Sequence, residues 1–136
     1  MGTEFVSAIA SGGVKTNTPR RILVVDDDND TRQLSVDVLV EAGYYVESAG
    51  DGAAGWEALQ VKNYDLVITD NHMPRLTGME MIAKLRSAHM SIPIILATGT
   101  FPANIIAHNP WLKPDAALQR PYSKDDLVAT VKKILC

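Results

Sequence analysis

The chain has 136 residues, 46% of them hydrophobic and 21% charged, which suits one folded domain and argues against global disorder. A formal net charge of −3 excludes the basic footprint of a nucleic-acid binder. No apolar run approaches the roughly 20 residues of a membrane helix, and Cys136, the single cysteine, excludes an internal disulfide and a cysteine-based zinc site.

Residues 1–19 (MGTEFVSAIASGGVKTNTP) show no lasting period and are rich in small and polar residues. No basic start precedes the short apolar patch, so the segment does not read as a convincing signal peptide. Gly2-Thr3-Glu4-Phe5 reads like two abutting cloning sites. We expect a flexible extension over residues 1–19, in part a cloning remnant, and a folded domain over residues 20–136.

From Arg20 onward the pattern is orderly. Ile22-Leu23-Val24-Val25 is wholly apolar and rich in β-branched residues, as in a strand buried on both faces. Asp28, Asn29 and Asp30 supply N-cap chemistry, with Asp28 read as a cap rather than a ligand. Leu34, Val38 and Leu39 predict the buried stripe of a first helix, which Gly43 ends. Tyr45 to Ala49 predicts a second strand, Gly50-Asp51-Gly52 a turn, and Ala53 to Val61 a short helix with Trp56 and Leu59 inward.

Leu66 to Thr69 predicts a third buried strand that runs into Asp70. Pro74 and Gly78 punctuate a loop, after which Met79, Ile82 and Leu85 share one side of a helix. Ile92 to Ala97 predicts the fourth strand. The prolines and glycine of residues 99–115 allow only a short helix, near Ala103 to His108. Ala116 to Gln119 predicts a weak fifth strand. Ser123-Lys124-Asp125-Asp126 resembles a capping box with Asp in place of Glu, and opens a helix carrying Leu127, Val131, Ile134 and Leu135.

Five β-α repeats with short connections predict an α/β domain with a mainly parallel sheet. Ligands of such sheets bind at the carboxyl ends of the strands, where the strand order switches. Those ends carry Asp26-Asp27-Asp28, Asp70, Thr98, and Arg120 followed by Pro121. Convergent carboxylates repel one another unless a cation intervenes. Mg²⁺ favours oxygen ligands and tolerates retained waters, so a few carboxylates and a phosphate oxygen suit it. An aspartate beside it can act as a nucleophile toward phosphorus, and the transition state then needs charge stabilisation above all.

Leu23-Val24-Val25-Asp26-Asp27, Asp70-Asn71-His72-Met73-Pro74, Gly78, Thr98 and Arg120-Pro121 resemble, in order and spacing, the receiver domains of two-component signalling. The resemblance covers about 115 residues, from Arg21 to Leu135. A lone Asp-Asp pair is weak, whereas the ordered set, with its D-x-x-M-P-x-x-x-G segment, is specific.

The resemblance implies a flavodoxin-like (βα)5 doubly wound fold, a five-stranded parallel sheet in strand order 2-1-3-4-5. It implies Asp70 as phosphoacceptor, and Asp26, Asp27, Asp70 and the His72 backbone carbonyl as ligands of Mg²⁺ or Mn²⁺. Thr98 and Arg120 would bind the phosphoryl group and act in switching, and Pro74, Gly78 and Pro121 would shape loops. The implied phosphodonor is a sensor histidine kinase or a histidine phosphotransfer protein. The implied output is a changed surface around the fourth helix, fifth strand and fifth helix, presented to a downstream protein. We expect a signalling domain rather than an enzyme, cytoplasmic, monomeric or weakly dimeric, with no membrane or direct nucleic-acid partner.

Four features depart from the family pattern. Arg120 stands where the family has lysine. Lys113-Pro114 offers an alternative, but choosing it would leave Ala116 to Pro121 unexplained. Arginine keeps the charge and adds a planar fork. Ala117 replaces a frequent aromatic residue, Gly99 follows Thr98, and His72 stands two after Asp70. Arg120 and Ala117 motivate a second reading, a pseudo-receiver that binds partners without phosphate. A flavin-binding reading is disfavoured because no glycine-rich phosphate loop follows the first strand, and a haloacid-dehalogenase-type phosphatase would carry its nucleophile and acid two apart on the first strand, whereas the acceptor here follows the third.

Overall fold

A computed structural model of the chain describes residues 18–136. Most of the extension expected over residues 1–19 therefore lies outside the described residues. In chain order the elements are β1 (Arg21–Val25), α1 (Asn29–Glu41), β2 (Tyr45–Ala49), α2 (Gly52–Val61), β3 (Leu66–Thr69), α3 (Gly78–Ser87), β4 (Ile94–Thr98), α4 (Ala103–His108), β5 (Ala116–Gln119) and α5 (Lys124–Leu135), with a 3₁₀ turn at Pro110–Leu112 before β5. The strands form one sheet in the order β2-β1-β3-β4-β5. Every pairing is parallel. The expected fold class and strand order are those observed.

The apolar runs are continuous because helices cover both faces of the sheet. Ile22 and Val24 of β1 join Leu66, Ile68, Ile95 and Ala97 on one face, under Val38 and Leu39 of α1 and Leu127 and Val131 of α5. Leu23 and Val25 join Val67, Ile94 and Leu96 on the other, under Leu59 of α2 and Met81, Ile82 and Leu85 of α3. Alternate residues of a strand point to opposite faces, so each four-residue run serves two cores. The two edge strands depart: β2 has Tyr45 exposed and Ala49 buried, and β5 buries Leu118 alone.

Local chemistry sets the helix ends. Asp28 caps α1 through Asp30 N–H at 3.1 Å, as read from the sequence. Gly43, at φ +103°, supplies the left-handed turn after that helix. Thr77 and Glu80 close a capping box on α3, with bonds of 3.1 and 2.9 Å. Ser123 caps α5 from one side, accepting from Asp126 N–H at 3.0 Å.

Three details differ from expectation. The inward stripe of α1 is Ser35, Val38 and Leu39, while Leu34 is 64% exposed. Successive residues sit about 100° apart on a helix, and Ser35 takes the inward place because its hydroxyl meets the Tyr122 hydroxyl at 3.2 Å. Strand β4 starts at Ile94, after Pro93, and continues through Thr98. Ile134 and Leu135 are half-buried at the rim of the core rather than within it.

Candidate functional site

The chemistry begins where the strands stop. Asp26 follows β1 and is 3% exposed, whereas Asp27 is exposed. The Asp26 amide continues the sheet by donating to Ala49 O at 3.1 Å. Its Oδ1 accepts from Asp28 N–H at 3.0 Å. Asp70 follows β3, is 8% exposed, and donates its amide to Val25 O at 3.1 Å. The sheet ladder thus extends through both aspartates and brings their carboxylates side by side. One oxygen each from Asp26, Asp27 and Asp70 lie within 4.8 Å of one another.

The loop after β3 holds Asp70 from below. Its Oδ1 accepts from Asn71 N–H at 2.6 Å and, more weakly, from His72 N–H at 3.4 Å. Thr69 donates its hydroxyl to Asp70 O at 2.8 Å. Asn71 Oδ1 receives Met79 N–H at 3.0 Å, and Gly78 N–H donates to Asn71 O at 3.1 Å. The first turn of α3 is therefore tied to the backbone beside Asp70. Gly78 is buried there, and a Cβ at this position would stand 2.2 Å from Asp70 O. Pro74 and the His72 side chain are exposed.

Arg120 follows β5, whose register with β4 is maintained by Arg120 N–H donating to Thr98 O at 3.1 Å. Its Nη2 donates to Asp26 Oδ2, and the same nitrogen is 3.8 Å from Asp70 Oδ2. Arg120 Nε is buried without an acceptor. The alternative cation, Lys113, is exposed and lies before β5. Thr98 ends β4, 2% exposed, and its hydroxyl has a long 3.4 Å contact to Thr100 O, so it is lightly held. Pro121 follows Arg120 through a cis peptide bond.

Burial and neighbouring charge compete here. Desolvation raises the pKa of Asp26, against the opposing pull of the Asp28 amide and Arg120. For Arg120, burial works against the charge, but Asp26 and Asp70 outweigh it and raise the pKa. The guanidinium is therefore a permanent positive charge set between the Asp26 and Asp70 carboxylates.

Two side chains went unremarked in the sequence. Arg32 Nη1 donates to Asp26 O at 2.7 Å while Nη2 donates to Asn29 Oδ1 at 2.6 Å, buttressing the acidic turn. Its place one turn after the Asp28 cap was the available signal. Arg75 Nη2 bonds Asp51 Oδ2 at 2.7 Å and so links the loop after Asp70 to the start of α2. Nothing in the local sequence pairs those two residues, which lie 24 apart.

The response regulator receiver domain family model matches residues 22–132. The chain belongs to this family. It is 31% identical over 116 residues to the response regulator receiver protein CpdR of Brucella abortus, covering 85% of this chain and 97% of that protein. It is 33% identical to the probable transcriptional regulatory protein SilR of Salmonella typhimurium, over 85% of this chain but 50% of that protein. The chain thus spans about half the length of such regulators. Among solved structures, the response regulator TrrA of Thermotoga maritima in complex with Mg²⁺ and BeF has a TM-score of 0.76 at 34% identity, covering 85% of this chain and 99% of that one. The chemotaxis response regulator CheY4 of Vibrio cholerae has a TM-score of 0.80 at 28% identity, over 87% and 100% of the two chains.

The acidic cluster is positioned for the Mg²⁺-dependent phosphorylation typical of receiver domains, which relay phosphate from histidine kinases or phosphotransfer proteins in signalling. The donor set fits the ion: all three side chains offer oxygen, which suits a hard cation. Among the described residues, no helix is long and apolar enough to cross a membrane.

Proposed function

We propose that Asp70 is the phosphoacceptor of a two-component phosphorelay, within a receiver domain spanning residues 20–136. The supporting observation is the meeting of Asp26, Asp27 and Asp70 within 4.8 Å beside the Arg120 guanidinium. Asp26, Asp27, Asp70 and the His72 carbonyl would hold Mg²⁺ or Mn²⁺. The ion, when bound, screens the carboxylates from one another and from the incoming phosphoryl oxygens.

The chain's own groups do the rest. Asn71 and His72 amides hold Asp70 Oδ1, which leaves Oδ2 as the attacking atom. That oxygen forms a bond to phosphorus as the bond from phosphorus to a donor histidine nitrogen breaks. The Thr98 hydroxyl donates to one phosphoryl oxygen, and Arg120 neutralises another. Pro74, Gly78 and Pro121 set the loops that position these groups. The donor is a sensor histidine kinase or a histidine phosphotransfer protein, the readout a downstream protein, and the compartment the cytoplasm.

Intact mass after incubation with acetyl phosphate tests this reading. The wild-type chain gains one phosphoryl group only with Mg²⁺ or Mn²⁺ present, and Asp70→Asn gains none. Persistent labelling of that variant would overturn the acceptor assignment. Absence of labelling in the wild type would favour the phosphate-independent pseudo-receiver that Arg120 and Ala117 suggest.

A further inference from the structure

The loop between β3 and α3 turns on a residue held in an uncommon backbone conformation. Arg75 has φ +70°, and Leu76 N–H donates to Pro74 O at 2.8 Å across it. A hydrogen bond that spans two residues with a positive φ between them makes the strained form of the γ-turn. Glycine would sit there at no steric cost, whereas an arginine must be held there by its surroundings. The guanidinium supplies a tie. Its Nη2 bonds Asp51 Oδ2 at 2.7 Å, while Asp51 Oδ1 accepts from Ala54 N–H at 2.8 Å and so caps α2. One carboxylate thus fixes the start of a helix with one oxygen and the tip of the loop with the other.

Short contacts carry this tie to the acceptor. A Cβ at Gly52, the first residue of α2, would stand 2.0 Å from Leu76 O, so loop and helix touch through their backbones. At the base of the loop, Gly78 N–H donates to Asn71 O at 3.1 Å, and Asn71 N–H donates to Asp70 Oδ1 at 2.6 Å. Buried Met73 and half-buried Leu76 anchor the inner side of the loop in the core under α2 and α3. The outer side carries exposed His72 and Pro74, and there the Arg75–Asp51 pair joins it to α2.

We propose that Asp51 is a positioning residue for phosphotransfer: through Arg75 it keeps the strained turn closed, and so keeps the Asn71 and His72 amides on Asp70 Oδ1. This rests on the phosphoacceptor reading above. The pair acts on rate more than on stability. The Arg75 side chain is 67% exposed, and ion pairs in water contribute little to folding. Cutting the tie also lets Arg75 relax toward negative φ, which offsets the lost bond. The His72 amide, at 3.4 Å, is the weaker hold on Oδ1 and the first to lengthen when the turn opens. The attacking Oδ2 then loses its alignment, and small misplacements of a reacting atom are costly in rate.

Initial rates of labelling by acetyl phosphate with Mg²⁺, followed by intact mass, test the role. Arg75→Ala loses the tie but keeps a side chain that resists positive φ. Asp51→Asn keeps an oxygen for the Ala54 cap and loses the charge. Each is expected to slow labelling about threefold to fivefold, with the urea midpoint close to wild type. The double variant is expected to be no slower than Arg75→Ala alone. Arg75→Gly, which enters the turn without strain, is expected to restore most of the rate. Acetyl phosphate is an anion, so general electrostatics alone would give opposite signs, faster labelling in Asp51→Asn and slower in Arg75→Ala. Those opposite signs would overturn the proposal. So would wild-type rates in both single variants, multiplied slowing in the double variant, or Arg75→Gly as slow as Arg75→Ala. Absence of labelling in the wild type and every variant is a different outcome, and would remove the acceptor reading and this role together.

Discussion

Gly78→Ala probes how Asp70 is held, because the new methyl group would meet the acceptor's own backbone. An ideal Cβ at Gly78 falls 2.2 Å from Asp70 O and 3.0 Å from both Asp70 C and Asn71 Cα. Ordinary contacts lie beyond 3.4 Å, so the two segments must separate by about 1 Å, with no side chain in the way that could rotate aside. The separation strains the Gly78 N–H bond to Asn71 O and the Met79 N–H bond to Asn71 Oδ1. Overpacking of this kind costs about 1–3 kcal/mol, and the better helix propensity of alanine returns at most about 1 kcal/mol. A net loss of about 1–2 kcal/mol is therefore expected by urea unfolding. A shift of about 1 Å at the reacting oxygen is expected to slow phosphorylation by acetyl phosphate up to about 100-fold, measured by intact mass against time.

Gly43→Ala provides the contrast within the same experiment. Gly43 has φ +103°, yet nothing lies within 4 Å of its added Cβ. Backbone strain there is expected to cost about 1 kcal/mol and to leave the phosphorylation rate unchanged. Wild-type stability and rate in Gly78→Ala would refute the reasoning, as would equal slowing in Gly43→Ala.

Neighbouring leucines of α1 should differ sharply. Leu39→Ala, at 0% exposure, is expected to lose about 2–5 kcal/mol in urea unfolding, and Leu34→Ala, at 64% exposure, less than about 0.5 kcal/mol. Similar losses would show that α1 is rotated from the orientation described. Glu47 carries a pH dependence: the Lys62 ammonium at 2.7 Å and the Tyr64 hydroxyl hold its pKa down to about 2 from an ordinary 4.5. A lowered carboxylate pKa adds stability above about pH 4.5 that fades as pH falls through about 2. Allowing for solvent screening, Glu47→Gln is expected to lose about 1 kcal/mol at pH 7. The gap to wild type closes on acidification in a pH series of urea midpoints, and a gap that persists at pH 2 would contradict the assignment.

What was legible in the sequence, and what was not, follows from how far apart the interacting groups lie along the chain. The sheet was legible because each central strand faces two cores and is apolar along its buried run, as in Ile22-Leu23-Val24-Val25. The acidic site residues were legible because an aspartate follows directly on each of two buried strands, Asp26 after Val25 and Asp70 after Thr69. The α3 capping box is written in Thr77 and Glu80, within a segment that Pro74 and Gly78 also mark as a loop. Leu34 misled because hydrophobicity alone cannot tell that Ser35 has a hydroxyl partner 87 residues away.

Arg120 illustrates the same limit at the site itself. Its charge and its place at a strand end were enough to direct it toward phosphate. Its partner in the unphosphorylated domain is decided instead by burial. Asp26 lies 94 residues away in sequence, is nearly closed to water, and needs a positive neighbour more than exposed Asp27 does. The nitrogen that bonds Asp26 also lies 3.8 Å from Asp70 Oδ2, so one guanidinium meets the need of the buried carboxylate and stands beside the acceptor at once.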